Sequence, residues 1–207
     1  MLLTSLVASF VTLLVVVDPV GLVPAFLAVT GGLSSEERRD IALRACLIAA
    51  VILIGAALGG DWLFNTVGIS LSAFRIAGGL LLFSIAFEMV FDVHIKRQSA
   101  TAEQAVEEQA RDIAAFPLAI PLMAGPGAIT AVILSAGRTA GNLEALGALI
   151  TVICVVLAVC YCAYLASGRI AKALGITGNI VLSRLLGVLL AALAVQYVID
   201  GVTAVMH

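Results

Sequence analysis

The sequence predicts an all-α membrane protein: six transmembrane helices arranged as two inverted three-helix repeats, with broken first and fourth helices. Three observations point there: an excess of apolar residues, the length of the apolar runs, and a repeat of awkward residues between the halves. Of 207 residues, 62% are hydrophobic and 12% charged, whereas a soluble domain carries roughly 45–50% apolar and about 25% charged residues. One small core cannot absorb that excess, so the natural solvent is lipid. A spanning helix needs about 20 mainly apolar residues, and the long runs here fit about six. A membrane barrel would show alternating segments of roughly ten residues, and none is visible.

The spans are expected at 3–28, 41–61, 71–91, 113–136, 145–166 and 181–204. Met1-Leu2-Leu3-Thr4-Ser5 has no basic residue and no small-residue cleavage site, so it reads as the start of the first span. Ser34 and Glu37 have capping-box spacing, which predicts that the second helix begins in water. The stretch from Asp92 to Asp112 is the most polar, and Thr101 and Gln104 repeat the capping spacing within it. The domain plan is therefore a first repeat over 1–98, a polar cytoplasmic connector over 99–112 and a second repeat over 113–207.

Lysine and arginine fall unevenly. The connectors after spans one, three and five hold Arg38, Arg39, Arg44, Lys96, Arg97, Arg111, Arg169, Lys172 and Arg184, against Arg75 and Arg138 opposite. The positive-inside rule then puts the odd-numbered loops in the cytoplasm and both termini outside. The location expected is the plasma (inner) membrane. With a net charge of −2, nucleic acid is not an expected partner.

The halves share rare residues at matched places. At an offset of 107, Pro19 matches Pro126, Gly68 matches Gly175, and Ile69-Ser70 lies over Ile176-Thr177. At an offset of 109, Arg75 and Gly78 match Arg184 and Gly187. Glu88 and Asp92 correspond loosely to Gln196 and Asp200. Three spans per half is an odd number, so the second half enters from the opposite side. That inverted plan is common in secondary transporters.

The chemistry sits in two Pro-Gly clusters. The first is Asp18-Pro19-Val20-Gly21 with Pro24 following; the second is Pro121-Leu122-Met123-Ala124-Gly125-Pro126-Gly127-Ala128. Proline removes an N–H and glycine relaxes the backbone, so each cluster breaks its helix near mid-span. Freed backbone groups must be buried in protein or line a wet cavity. Helix N-termini suit a solute carboxylate, and freed carbonyls suit a cation or an ammonium group. The candidate solute contacts are Asp18, Pro19, Val20, Gly21, Gly125, Pro126, Gly127, Ala128 and Thr130. A mid-span carboxylate is costly, so Asp18 is expected to bind an ammonium, carry a proton, cap the second half-helix, or combine these roles.

Thr12, Thr30 and Ser135 offer further hydroxyls. Arg75 and Arg184 open the third and sixth spans and either snorkel to the interface or pair with acids such as Asp61 or Asp200. Gly55, Gly59, Gly78 and Gly79 are expected to allow close helix packing. Cys46, Cys154, Cys160 and Cys162 lack ligand neighbours and read as buried fillers, so no metal is expected.

These two motifs, with the six-span length, resemble the MarC family, which includes small neutral amino acid transporters of the SnatA type. The resemblance covers essentially the whole chain. It implies six helices in a bacterial or archaeal plasma membrane and cargo such as alanine, glycine or serine. The leading functional expectation is a secondary transporter, with proton coupling through Asp18 or sodium coupling through freed carbonyls both open and no other cofactor. The alternative is an ion or metabolite exporter or channel. An enzyme is not expected: neither His94 nor His207 lies where a catalytic metal would be held, and Asp18 lacks a second mid-span Asp to share a proton. The partners expected are the solute and the bilayer, and small-residue faces permit a homo-oligomer.

Overall fold

The computed structural model describes residues 2–107, 112–139 and 142–206, and every element among them is helical. In order these are α1 (Leu2–Val17), α2 (Leu22–Val29), α3 (Ser35–Val67), α4 (Leu71–Val90), α5 (Val93–Glu107), a wide-wound π segment (Ala114–Met123), α6 (Pro126–Ala136), α7 (Leu143–Leu165) and α8 (Ser167–Met206). Four stretches are long and apolar enough to span on their own: Ser35–Gly60 of α3, α4, α7, and Thr177–Met206 of α8. Two bent pairs, α1 with α2 at 44° and the π segment with α6 at 57°, raise the count to six if each pair is one span. Among the described residues there are therefore four to six candidate membrane spans.

Local chemistry explains the boundaries. Ser34 and Glu37 form the expected capping box, Ser34 N donating to Glu37 Oε2 at 2.8 Å and Glu37 N to Ser34 Oγ at 3.3 Å. Gly68 ends α3 in the left-handed conformation (φ 77), and Ser70 caps α4 by accepting from Ala73 N at 3.1 Å. α8 bends at Gly175, whose φ of 59 and ψ of −174 only glycine adopts readily. Part of the polar connector is helical: α5 starts at Val93 and runs to Glu107, across the expected boundary at residue 98. Thr101 is no cap; it lies within α5 and its hydroxyl donates to Arg97 O at 2.9 Å.

Large apolar side chains such as Leu47, Val51, Leu58, Trp62, Leu185 and Val188 stand exposed along α3 and α8. In water such a surface would aggregate; in hydrocarbon it is the solvated face. Inside, α3 packs on α7, α1 on α6 and α7, and α4 on α8 most extensively of all.

The α4–α8 seam is built on glycine. A β-carbon at Gly79 would lie 2.8 Å from Ala194 O, one at Gly187 2.8 Å from Met89 Cβ, and one at Gly201 2.9 Å from Ser72 O. Positions fall along α4 as they rise along α8, so the pair is antiparallel in one register, with backbones in near contact. Gly78 turns instead to α6, where a β-carbon would meet Thr130 Cγ2 at 2.8 Å. Gly55 and Gly59 do not behave as expected: open space surrounds both, and it is Gly60 that abuts Ile133 at 3.1 Å. The cysteines also divide. All are free; Cys46 and Cys160 are buried, but Cys154 and Cys162 lie exposed on α7.

Replacing Gly79 by leucine should overpack the seam and destabilise the protein by about 1–3 kcal/mol or more, while Gly55→Leu should leave it unchanged. Thermal unfolding in detergent, followed by size-exclusion chromatography, reads the difference.

Candidate functional site

The first break begins with proline. Pro19 has no N–H, so the carbonyl of Val15 loses its helical donor. Gly21 N turns away from the carbonyl four residues back and donates to Asp18 Oδ1 at 3.0 Å, which deprives Val17 O as well. Asp18 itself takes a left-handed backbone (φ 47), while its N–H still donates to Leu14 O at 3.0 Å and its carbonyl accepts from Leu22 N at 3.0 Å. Oδ1 thus holds the turn that leads into α2, whose N-cap is Gly21 and carries no side-chain cap bond. The second oxygen, Oδ2, is buried and has no hydrogen-bond partner, on a residue only 1% exposed. Glycine is needed at position 21 for room, since a β-carbon would collide with the Asp18 carboxylate.

The second break is looser. Phe116 and Ile120 are extended (φ −135 and −124), each before a cis proline, and Ala124 N reaches back five residues to Ala119 O at 2.8 Å. Gly125 is the extended N-cap of α6, Pro126 is its first residue, and no side chain caps the helix. Its first turn closes with Ile129 N donating to Gly125 O at 3.0 Å. A β-carbon at Gly125 would collide with Pro121 O. Gly127 lies between α4 and α1: a β-carbon there would collide with Ile85 and meet Val16 Cγ1 at 3.2 Å. The two breaks thus adjoin through Val16 and Gly127.

Below the first break lies a cavity of about 540 Å³ between α2, α5 and the start of α8. Val20 and Pro24 form one wall, Asp92 and Lys96 a second, Leu174 and Asn179 a third. Of the expected solute contacts only Val20 lines it; Asp18, Pro19 and Gly21 are buried behind. Gly125, Pro126, Gly127, Ala128 and Thr130 do not line it. Thr12 and Thr30 donate to their own helices, at Ala8 O (2.8 Å) and Phe26 O (2.7 Å). Ser135 Oγ is buried without a partner.

Polar clusters flank the bundle. Asp200 forms an ion pair with Arg138 at 2.9 Å and accepts from Gln196 Nε2 at 2.7 Å, and the Arg138 guanidinium lies 4.5 Å over the Tyr197 ring. The expected partners of Asp200 were Arg75 or Arg184; neither forms an ion pair among the described residues, and Arg184 is exposed. Arg75 Cβ lies 3.1 Å from where a β-carbon at Gly201 would stand, and the side chain of Asp61 lies outside the described residues. At the other end Glu88 pairs with Arg97 at 2.8 Å and faces His94 Nδ1 at 3.6 Å, while His94 Nε2 shares a 2.9 Å bond with Gln98. Burial, then the Arg97 charge, pushes the His94 imidazole below its ordinary pKa, against the opposing pull of Glu88.

Three residues of the cavity went unread as site residues: Asp92, Lys96 and Asn179. Asp92 and Lys96 carried a signal in their one-turn spacing, realised as a 3.7 Å ion pair. Asn179 carried none beyond being a polar residue near the start of an apolar span.

A family model described as "MarC family integral membrane protein" matches residues 3–206. A UPF0056 membrane protein of Aquifex aeolicus is 37% identical, covering 94% of this chain and 91% of its own length. One from Methanocaldococcus jannaschii is 34% identical (95% of each chain), and one from Pyrococcus abyssi is 35% identical (97% and 95%). No solved structure matches.

Gly21→Ala should cost about 1–3 kcal/mol by overpacking, and adding Asp18→Ala should recover part of that loss, because the clash partner is gone; a double-mutant cycle on melting in detergent measures it. His94 gives a pH prediction of definite sign. Above its ordinary value of 6.5 the ring is neutral whether folded or unfolded. Below that the unfolded chain takes the proton first, so stability falls as pH drops. Melting temperature should decline between about pH 7 and pH 5.5, and less steeply in His94→Gln.

Proposed function

The chain belongs to the MarC family of integral membrane proteins, and from that premise we propose that it is a secondary transporter moving small neutral amino acids of the alanine, glycine or serine type across the plasma membrane. The observation that carries this reading is the pair of adjoining, complementary backbone breaks. One offers a buried carboxylate oxygen without a donor, the other a helix N-terminus without a cap. Under the repeat offset, Asp18 corresponds to Gly125 and Gly21 to Ala128. The first half caps its own amide with Asp18; the second has no side chain to do so. A solute carboxylate fits at Gly127 and Ala128, where the amides and the helix dipole favour an anion, and its ammonium fits at Asp18 Oδ2. Pro19, Val20, Gly21, Gly125 and Pro126 shape the site, and Thr130 closes it against Gly78 on α4.

The inverted repeat, relating 1–98 to 113–207 through the 99–112 connector, belongs to the same proposal. It is supported by matched identity: Gly68 and Gly175 both take positive φ, 77 and 59, although Gly68 is left-handed helical (ψ 26) and Gly175 is not (ψ −174). The partnering of α3 with α7 and of α4 with α8 has the symmetry such a plan requires. The positive-inside count orients six spans with both termini extracytoplasmic, so the cavity faces the cytoplasm and the Arg138–Asp200 pair closes the outer end. Arg75 and Arg184 stand at matched positions as gate residues. Coupling to protons or to sodium is compatible with Asp18 and with the freed carbonyls of Val15 and Val17.

Asp18→Asn separates binding from capping, since the amide keeps an oxygen for Gly21 N. Losing a charge-assisted bond of about 1.5–3 kcal/mol should lower apparent affinity for alanine roughly 10- to 100-fold. Uptake of radiolabelled alanine, glycine and serine into proteoliposomes, with and without imposed proton and sodium gradients, checks it. Undiminished uptake by the variant would leave Asp18 a cap alone, and non-saturating conductance would favour a channel.

A further inference from the structure

We infer that the cavity between α2, α5 and α8 is a binding site in its own right, for a neutral zwitterion carrying an apolar side chain of leucine to phenylalanine size. It takes the ligand's class, a neutral amino acid, from the transporter reading and extends that class upward in size. The site is distinct from the paired breaks, because neither Asp18 nor any residue from Gly125 to Thr130 lines it.

Size is the first argument. At about 540 Å³ the space lies within the roughly 300–1,000 Å³ of pockets that enclose drug-sized ligands. Glycine or alanine would leave most of it to water. Its walls are largely apolar, with Val23, Leu27, Ile95, Ile170, Leu174 and Ile180 among them, and water held there finds few partners. A branched or aromatic side chain displaces that water.

The polar groups set the head. Lys96 Nζ and Asp92 Oδ2 stand 3.7 Å apart, with the lysine side chain 75% exposed and the aspartate 14%. So long and open a pair contributes little by itself, and opening it for a ligand costs little. A ligand carboxylate then takes the Lys96 donors and an adjacent ammonium takes Asp92. Asn179 Oδ1 is buried and unpartnered on a residue 7% exposed, and it lies in the same wall. It supplies the acceptor for a second ammonium hydrogen. Asp92 itself is held at φ 63, one of two described non-glycine residues with positive φ, the other being Asp18. Such strained conformations concentrate at functional sites.

Net charge excludes the other occupants. An anion meets Asp92, a cation meets Lys96, and a phosphate headgroup finds one lysine already matched by a carboxylate. A zwitterion alone answers both signs together.

Equilibrium binding to the purified full chain in detergent tests this without any flux. Radiolabelled L-leucine and L-phenylalanine should bind saturably, with glycine at least tenfold weaker as a competitor. L-leucinamide and 4-methylpentanoate, each lacking one charge, should also compete at least tenfold less well. Lys96→Gln and Asn179→Leu should each weaken leucine binding at least tenfold. If Asn179→Leu fails to elute as a monodisperse peak, the exposed Lys96→Gln carries the test. Equal competition by glycine and leucine, full leucine binding by Lys96→Gln, or a co-purified phospholipid that leucine does not displace in native mass spectrometry would each overturn the site. Leucine binding without alanine flux would count against the transporter reading alone, and alanine flux without leucine binding against this site alone.

Discussion

A peptide group without a hydrogen-bond partner cannot face hydrocarbon, and the whole architecture answers to that constraint. All five prolines of the chain, Pro19, Pro24, Pro117, Pro121 and Pro126, fall in the two interrupted segments; the break at Asp18–Gly21 is enclosed by other helices, while Phe116, Ile120, Pro121 and Pro126 of the second segment lie exposed. The first interruption is fully buried, with Asp18, Pro19 and Gly21 shielded from solvent. The long helices α3, α4, α7 and α8 keep unbroken spanning stretches and turn their apolar side chains outward. Continuous helices face the lipid, and the first broken pair lies in the interior. The partition follows from the cost of an orphaned backbone group, several kcal/mol in such a medium.

The two interruptions solve the same problem by different means, and the difference gives the site its polarity. In the first, Asp18 replaces a lost backbone acceptor with its own carboxylate and keeps one oxygen unused. In the second, the turn is widened, with a bond spanning five residues and glycine at the place where Asp18 would stand. A carboxylate at both positions would put two like charges beside each other in a medium that screens poorly. Glycine at both would leave two uncapped helix ends and nothing to answer an ammonium group. The observed pairing presents one sign from each half.

How much of this the sequence reveals depends on which coordinate the signal runs along. Run length runs along the chain, so the spans were legible to within a few residues, and so were the Ser34–Glu37 cap and the two Pro-Gly breaks. Rotation about a helix axis was not. In a chain this apolar, the face of α3 turned to lipid looks like the face turned inward, which is why Gly55 and Gly59 were indistinguishable from Gly60. Partner choice was hidden for the same reason: Asp200 and Arg138 are 62 residues apart, and nothing local says they meet. The burial of His94, Gln98 and Ala102 on α5 was not legible either, because two of the three are polar. His94 Nε2 and Gln98 Nε2 share a hydrogen bond while His94 Nδ1 and Gln98 Oε1 find none among the described residues, a tertiary arrangement that composition cannot display.

The same contrast between broken and unbroken helices locates where the molecule can change shape. α4 and α8 meet backbone to backbone, and the space above Gly79 is closed by the Ala194 carbonyl at 2.8 Å. Sliding either helix by a residue would drive a side chain into that gap, so the seam moves as one body or not at all. The bends of 44° and 57° lie instead where i→i+4 bonding is thinned, so changing those angles strains fewer helical hydrogen bonds than bending an intact helix. Compliance therefore sits at the breaks. On the proposed transporter reading, the groups that would hold a solute are the ones whose geometry a change of access alters, and a ligand bridging Asp18 and the α6 N-terminus would bias that angle directly, with no relay through the packed seam.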